Sequence, residues 1–164
     1  MKTKFDGYMA SPYYHTDPTV RHARFQAACL AAGWAIANGL YLYSPIAHTA
    51  SIANFCDLPH SFDFWEHFDT VGVGSCHDFY ILKIPGWEES VGIWREINIA
   101  EDMGKNMFFI ESAGHQEYKV YQTCYSTIVG DDHVDEIKKR NPTTVRLARA
   151  IVHDTFGTPV GERA

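Results

Sequence analysis

Ser90, Gly92 and Glu96, in the stretch "SVGIWREI", are residue types that can do chemistry together if a helix begins at Ser90. A helix N-terminus presents unpaired N–H groups and a partial positive charge. A serine hydroxyl, and a glycine that lets a ligand approach the backbone, complete an anion site there. Glu96 follows Ser90 by six residues, which is about 9 Å along a helix axis at 1.5 Å per residue. That is close to the span from a 5′-phosphate to the anomeric carbon of a ribose. A carboxylate at C1′ can attack as a nucleophile and form a glycosyl-enzyme ester. A plainer account is available for each residue: Ser90 as an N-cap, Gly92 as a small residue packed on a sheet, Glu96 on a solvated face. Glu88, Glu89 and Glu101 are nearby carboxylates that spacing does not exclude. Positions 93, 97 and 100 are Ile, Ile and Ala, so Glu96 does not sit on an obviously polar face.

Such a site needs elements to hold it. "GYMAS" (7–11) reads as a buried strand, followed by a helix capped by Asp17 with Pro18 in its first position. Val20, Ala23, Ala27, Ala31 and Trp34 recur at helical spacing as its apolar face, and Gly39 is its stop signal. "LYLYSPI" (40–46) and "DFYILKI" (78–84) read as strands two and three. Between them, "SFDFWEHFDTVG" contains a helix, and "NMFFIES" (106–112) is a fourth strand. This alternation predicts an α/β fold with a parallel sheet in one domain. Such sheets bind ligands beyond the carboxyl ends of their strands. Three polar clusters fall there: Ser11 to Tyr13, Ser44 to His48, and Gly86 to Glu96. Tyr13, His48 and Trp87 lie on these loops, and Trp87 is placed to stack on a base or close a lid. The tail adds a strand-like stretch (117–129), then a helix capped at Asn141-Pro142 with Val145, Ala148, Val152 and Phe156 on one face.

The composition limits the partners. The chain has 164 residues and a net charge of −6, with no block of lysine and arginine, so no nucleic-acid surface is expected. No apolar run approaches the roughly 20 residues of a membrane span. The N-terminal residues lack a signal-peptide core, so the cytoplasm is the expected location. Cys29, Cys56, Cys76 and Cys124 form no CxxC pair. Cys56-x3-His60 and Cys76-His77 come closest to ligand spacing but match no standard zinc pattern, so no metal is expected.

Four segments in order, "YMASPY", "SPIAH", "DFWEHFD" and "GWEESVGIWREINIA", resemble the nucleoside 2-deoxyribosyltransferase superfamily over roughly residues 7–112. The resemblance implies a flavodoxin-like, Rossmann-like doubly wound sheet, with 113–164 as an extension. It implies cleavage of the N-glycosidic bond of a nucleoside or nucleotide through a glutamate nucleophile, without a cofactor. Position by position, Glu96 would be the nucleophile, and Tyr8 would orient it. Asp69 would stand near the base and help protonate it, and Ser90 and Gly92 would hold the 5′ end. Ser11, Tyr13, His48 and Trp87 would complete the substrate site. A serine six residues before the glutamate is similar to the nucleoside 5′-monophosphate N-hydrolase branch. Two departures stand against this. The loop "SPYYHTDP" lacks that branch's arginine, with Arg21 and Arg24 coming only later, and His77 stands where the family often has Asp. Hydrolysis or base transfer depends on how well water is excluded. An NAD-type glycohydrolase and a non-catalytic nucleotide sensor are the alternatives. The relatives build their sites at subunit contacts, which implies a homodimer or higher homo-oligomer. Residues 113–164 are then expected to assist assembly, to cover the pocket, or merely to complete the chain's own sheet.

Overall fold

Five strands join in the order β2-β1-β3-β4-β5 in the computed structural model, which describes residues 3–130. The first strand, β1 (Phe5–Ala10), runs into a loop that ends at Asp17. The Asp17 carboxylate accepts from Thr19 N at 2.8 Å, and Pro18 opens α1 (Pro18–Ala37). Past its end Gly39 takes φ +75°, a conformation that suits glycine. The chain then forms β2 (Leu42–Tyr43), α2 (Pro45–Phe55), α3 (Phe62–Gly74) and β3 (Cys76–Leu82). It continues through α4 (Val91–Asp102), β4 (Met107–Gly114), β5 (Glu117–Thr123) and α5 (Tyr125–Val129).

β1, β2, β3 and β4 pair in parallel, which confirms the α/β class and the flavodoxin-like doubly wound arrangement. From β1 the chain steps one way to β2, then back across β1 to β3 and β4. Right-handed crossovers therefore put α1 on one face of the sheet and α3 and α4 on the other. The side chains alternate to match. Tyr8, Phe79 and Ile81 pack with Ile93 and Ile97 of α4, while Met9, Tyr80 and Leu82 pack with Ala31 and Ala35 of α1. Burial on both faces explains why "YMA" and "FYIL" are apolar without alternation. The reversal between β1 and β3 opens a crevice at their carboxyl ends.

Three expectations need correction. The sheet is mixed, because β5 runs antiparallel to β4. Gly114, His115 and Gln116 all take positive φ and turn the chain back in a tight hairpin. β2 is two residues long rather than seven, because Ser44 and Pro45 start α2 at once. The buried stripe of α1 is Ala28, Ala31 and Ala35, rotated from the expected one, and Ala23 is exposed. In an alanine-rich helix every face is mildly apolar, so spacing alone does not choose among them. Residues 113–130 complete the chain's own sheet, and Tyr125 Oη donates to Asn98 Oδ1 of α4 at 2.9 Å. The helix expected from Asn141 onward lies outside the described residues. No helix among those described is long and apolar enough to cross a membrane.

Gly72 lets α3 lie close against β1. A Cβ there would stand 2.9 Å from Tyr8 Cε2 and 3.2 Å from Tyr43 Cε1. Tyr8 is wholly buried, so its ring has no room to yield. Gly72→Val is expected to cost about 1–3 kcal/mol by overpacking, read as a lower Tm in thermal denaturation.

Candidate active site

A cavity of about 790 Å³ opens beyond the carboxyl ends of β1 and β2, walled by α2, α3 and the first turns of α4. The loop after β1 gives it Ser11, Tyr13 and Tyr14. Asp69 reaches it from α3, and Ser90, Gly92 and Glu96 from the start of α4.

The opening of α4 has the local form that the sequence predicts. Ser90 is the N-cap, and its Oγ accepts from Ile93 N at 3.4 Å. A Cβ on Gly92 would meet nothing nearer than Ser90 Oγ at 3.8 Å. Packing therefore does not require glycine there, and the bare backbone faces the cavity. Gly92→Ala is expected to gain roughly 0.5–1 kcal/mol of helix stability while lowering ligand affinity. Thermal denaturation and ligand titration on the same variant read the two effects.

Glu96 lies on the apolar face of α4, with Ile93, Ile97 and Ala100 buried beside it. It is only 7 % exposed. Tyr8 Oη donates to Glu96 Oε1 at 2.7 Å, joining residues 88 positions apart. The Tyr8 ring is fixed by stacking on Phe79 at 5.7 Å and by Tyr43 at 5.9 Å. Burial, then the charges of Glu96 and Asp69, push the Tyr8 hydroxyl well above the usual tyrosine range. It therefore keeps its proton and acts as a donor.

Asp69, 8 % exposed, is the second buried carboxyl of the cavity. Burial raises it to about 7, against the lowering effect of Tyr8. Glu96 is raised well above the usual carboxylate range, by burial first and by the charge of Asp69 second. The two titrate as a pair. Burial raises both carboxyls and Tyr8 works for the charged form of each, but its hydroxyl proton is given to Glu96 Oε1 at 2.7 Å, which favours charge on Glu96. Two buried carboxyls that resist joint ionisation hold a proton near neutrality. Such a pair can divide acid and nucleophile roles.

Ser11 Oγ is buried, lines the cavity and has no hydrogen-bond partner. A hydroxyl in that state is costly unless a ligand or water completes it.

Three expected site residues do not line this cavity: Tyr8, wholly buried behind Glu96 and reaching the site only through its hydrogen bond, and His48 and Trp87. His48 is exposed, stacked on Phe68 at 6.4 Å and beside Tyr43 at 5.9 Å. The face of α2 that lines the cavity is Ile46, Thr49, Ala50 and Ala53, and position 48 lies off it. Trp87 packs on Phe109 of β4 at 5.4 Å and on Trp94 at 6.3 Å. The turn closed by Trp87 N to Ile84 O, with Gly86 at φ +91°, aims its ring toward β4. Arg24 spans the crevice instead of entering it, donating to Tyr14 O at 2.7 Å and Pro85 O at 3.4 Å. Arg21 donates to the His15 and Thr16 carbonyls. Glu88 and Glu101 are exposed away from the cavity, Glu89 lies on its rim, and His77 is exposed on β3. The sequence reading missed Arg95, Asp63, Phe62 and Trp65, all on the cavity wall. Asp63, exposed on the rim, accepts from Arg95 Nη1 at 2.8 Å, and the guanidinium lies over the Phe62 ring at 4.7 Å. The available signal was the adjacency of Arg95 to Glu96 and the acidic first turn of α3. No group of three or more metal-ligating side chains occurs among the described residues.

Comparison with protein families matches residues 6–112, about two thirds of the chain. The chain belongs to the family described as Domain of unknown function (DUF1937). The DUF1937 region contains every residue named on the cavity wall and stops within β4, before the β5 hairpin partner. A comparison with curated proteins found no match.

Proposed function

We propose that this protein cleaves the N-glycosidic bond of a nucleoside or nucleoside 5′-monophosphate by double displacement at Glu96. The observation that carries the reading is the Glu96 carboxyl. It is buried on an apolar helix face, oriented by Tyr8 at 2.7 Å, and six residues inside a helix whose N-terminus opens on the same cavity. The reading needs the pair's single negative charge on Glu96 and its proton on Asp69, the arrangement that the Tyr8 hydrogen bond favours.

Glu96 attacks C1′, the C1′–N bond breaks, and the departing base takes the proton from Asp69. A glycosyl ester of Glu96 results. Water then attacks C1′ while Asp69, now ionised, accepts its proton, and Glu96 leaves; a second base in place of water gives transfer. Ser90 and the bare backbone at Gly92 hold the 5′ end of the substrate. Ser11 Oγ is a free hydrogen-bonding group for the sugar. No cofactor enters these steps. A cavity of about 790 Å³ also accommodates a dinucleotide, which favours an NAD-type glycohydrolase as the second reading. The four cysteines are free, which fits work in the cytoplasm.

Chromatography for free base, after incubation with nucleosides, nucleoside 5′-monophosphates and NAD, tests the reading. Base release that depends on Glu96 supports it. Tight binding of one of these compounds without any base release would make the protein a sensor.

A further inference from the structure

The cavity wall carries four carboxyls, Asp63, Asp69, Glu89 and Glu96, while Arg95 is its single arginine and no lysine lines it among the described residues. Arg95 is already matched by Asp63 at 2.8 Å. Arg21 and Arg24, the other cations near the loop after β1, are turned to backbone carbonyls. Among the described residues no lysine or unpaired arginine is left on this wall for an anionic substrate: His60 and the partial charge at the α4 N-terminus face four carboxyls, and the buried Asp69 and Glu96 are paired with no lysine or arginine. The wall is also aromatic, with Tyr13, Phe62 and Trp65. Phe62 already carries one planar cation, the Arg95 guanidinium at 4.7 Å. Independently, Ser11 Oγ is buried in the same wall without a partner, a neutral hydroxyl that awaits a polar ligand group.

From this charge balance we infer that the preferred substrate is an unphosphorylated nucleoside with a cationic base: an N-glycosylated pyridinium or a quaternised purine. The inference rests on the N-glycosidase reading and specifies its substrate class. Aromatic faces and uncompensated carboxylates together attract a planar cation, and the same carboxylates repel a 5′-phosphate.

The chemistry follows with its electrons balanced. The Glu96 O–C1′ bond forms as C1′–N breaks. The bonding pair moves to the ring nitrogen, whose positive charge is thereby cancelled, and no proton is transferred. Esterification removes the Glu96 charge, so Asp69 releases its proton to solvent; in the second step water oxygen bonds to C1′, the ester pair returns to Glu96, and the water proton goes to the ionised Asp69. Asp69 is thus dispensable for the first step with a cationic base and needed for it with a neutral one. Beside burial, the pair's titration is set by Tyr8 of β1 and by Asp69 of α3 and Glu96 of α4 on each other; Tyr43 of β2 stands beside Tyr8, and Asp63, Glu89, Arg95 and His60 line the same wall.

The test compares nicotinamide riboside with its 5′-phosphate, and 7-methylguanosine with guanosine and guanosine 5′-monophosphate, using the full chain. The expected result is kcat/KM at least tenfold higher for each cationic nucleoside than for its neutral or phosphorylated counterpart. In Asp69→Asn, the cationic substrates should give a burst of free base close to one per site, then slow turnover, while guanosine gives no burst. Faster release from guanosine 5′-monophosphate than from 7-methylguanosine overturns the inference and leaves the N-glycosidase reading standing. No base from any compound, with binding still measurable, overturns that reading itself.

Discussion

Glu96→Gln should slow base release by at least about 10³-fold while leaving the fold and substrate binding in place. The amide oxygen of glutamine still accepts from Tyr8 Oη, so the 2.7 Å contact at the cavity floor is retained in form. What disappears is the negative charge that attacks C1′. The same substitution should raise stability, and the sign can be worked out. The folded-state pKa of Glu96 is raised, chiefly by burial. Its contribution to stability is therefore full at low pH and lost as pH rises through that raised value. Glutamine cannot ionise and does not incur the loss. Thermal denaturation across a pH series should show Glu96→Gln and the parent converging in acid and separating in favour of the variant as pH rises. If Glu96→Ala releases base at the parent rate, the nucleophile is elsewhere, and Glu89 on the cavity rim is the next carboxylate to replace.

The second large effect belongs to Asp69. With a neutral base, the leaving group needs a proton, and loss of a general acid lowers the rate by roughly 10²–10⁴-fold. Asp69→Asn should fall in that range. It should also change the pH profile, which distinguishes a role in proton transfer from a role in packing. The active state carries one proton on the pair. In the parent, the acid limb marks the first ionisation, displaced from the ordinary carboxylate range up to about 7. Asp69 also raises Glu96 by its charge. That charge is felt only when the pair loses its second proton, the step that sets the alkaline limb; asparagine has no such proton, so the variant keeps its acid limb and loses the alkaline one. The pair gives up its first proton at about 7 in the fold, against a reference value of 3.8 for the aspartate. At about pH 8 removal of Asp69 should therefore stabilise the protein by on the order of 2–4 kcal/mol, through the same linkage. A variant that loses activity with an unchanged profile and a lower Tm would reduce Asp69 to a packing residue.

These two residues show how far the sequence alone reaches. It determined what depends on neighbours a few positions apart. Asp17 before Pro18 announced the start of α1, and Ser90 that of α4, because a cap is a contact two or three residues long. The apolar residues at 93, 97 and 100 marked Glu96 as a carboxyl on a face that must pack. The alternation of strands and helices gave the α/β class, because each period reflects which face is buried. The strand-like tail gave no direction for β5. That was decided at Gly114, His115 and Gln116, where two non-glycine residues adopt a left-handed conformation that composition does not announce.

Only the tertiary structure decided which side chains meet. Tyr8 and Glu96 are 88 residues apart, and their hydrogen bond exists because β1 and α4 pack on the same face of the sheet. Asp63 and Arg95 are joined through the approach of α3 to α4, which no local pattern encodes. His48 and Trp87 fall on the expected loops yet do not line the cavity. A side chain's direction follows the rotation of its helix or the twist of its turn, and these settle only when the elements pack. The raised pKa values of Glu96 and Asp69 belong to this second class as well. A carboxyl's chemistry depends on the water it has lost and the charges it faces, and both are set by residues distant in sequence and near in space.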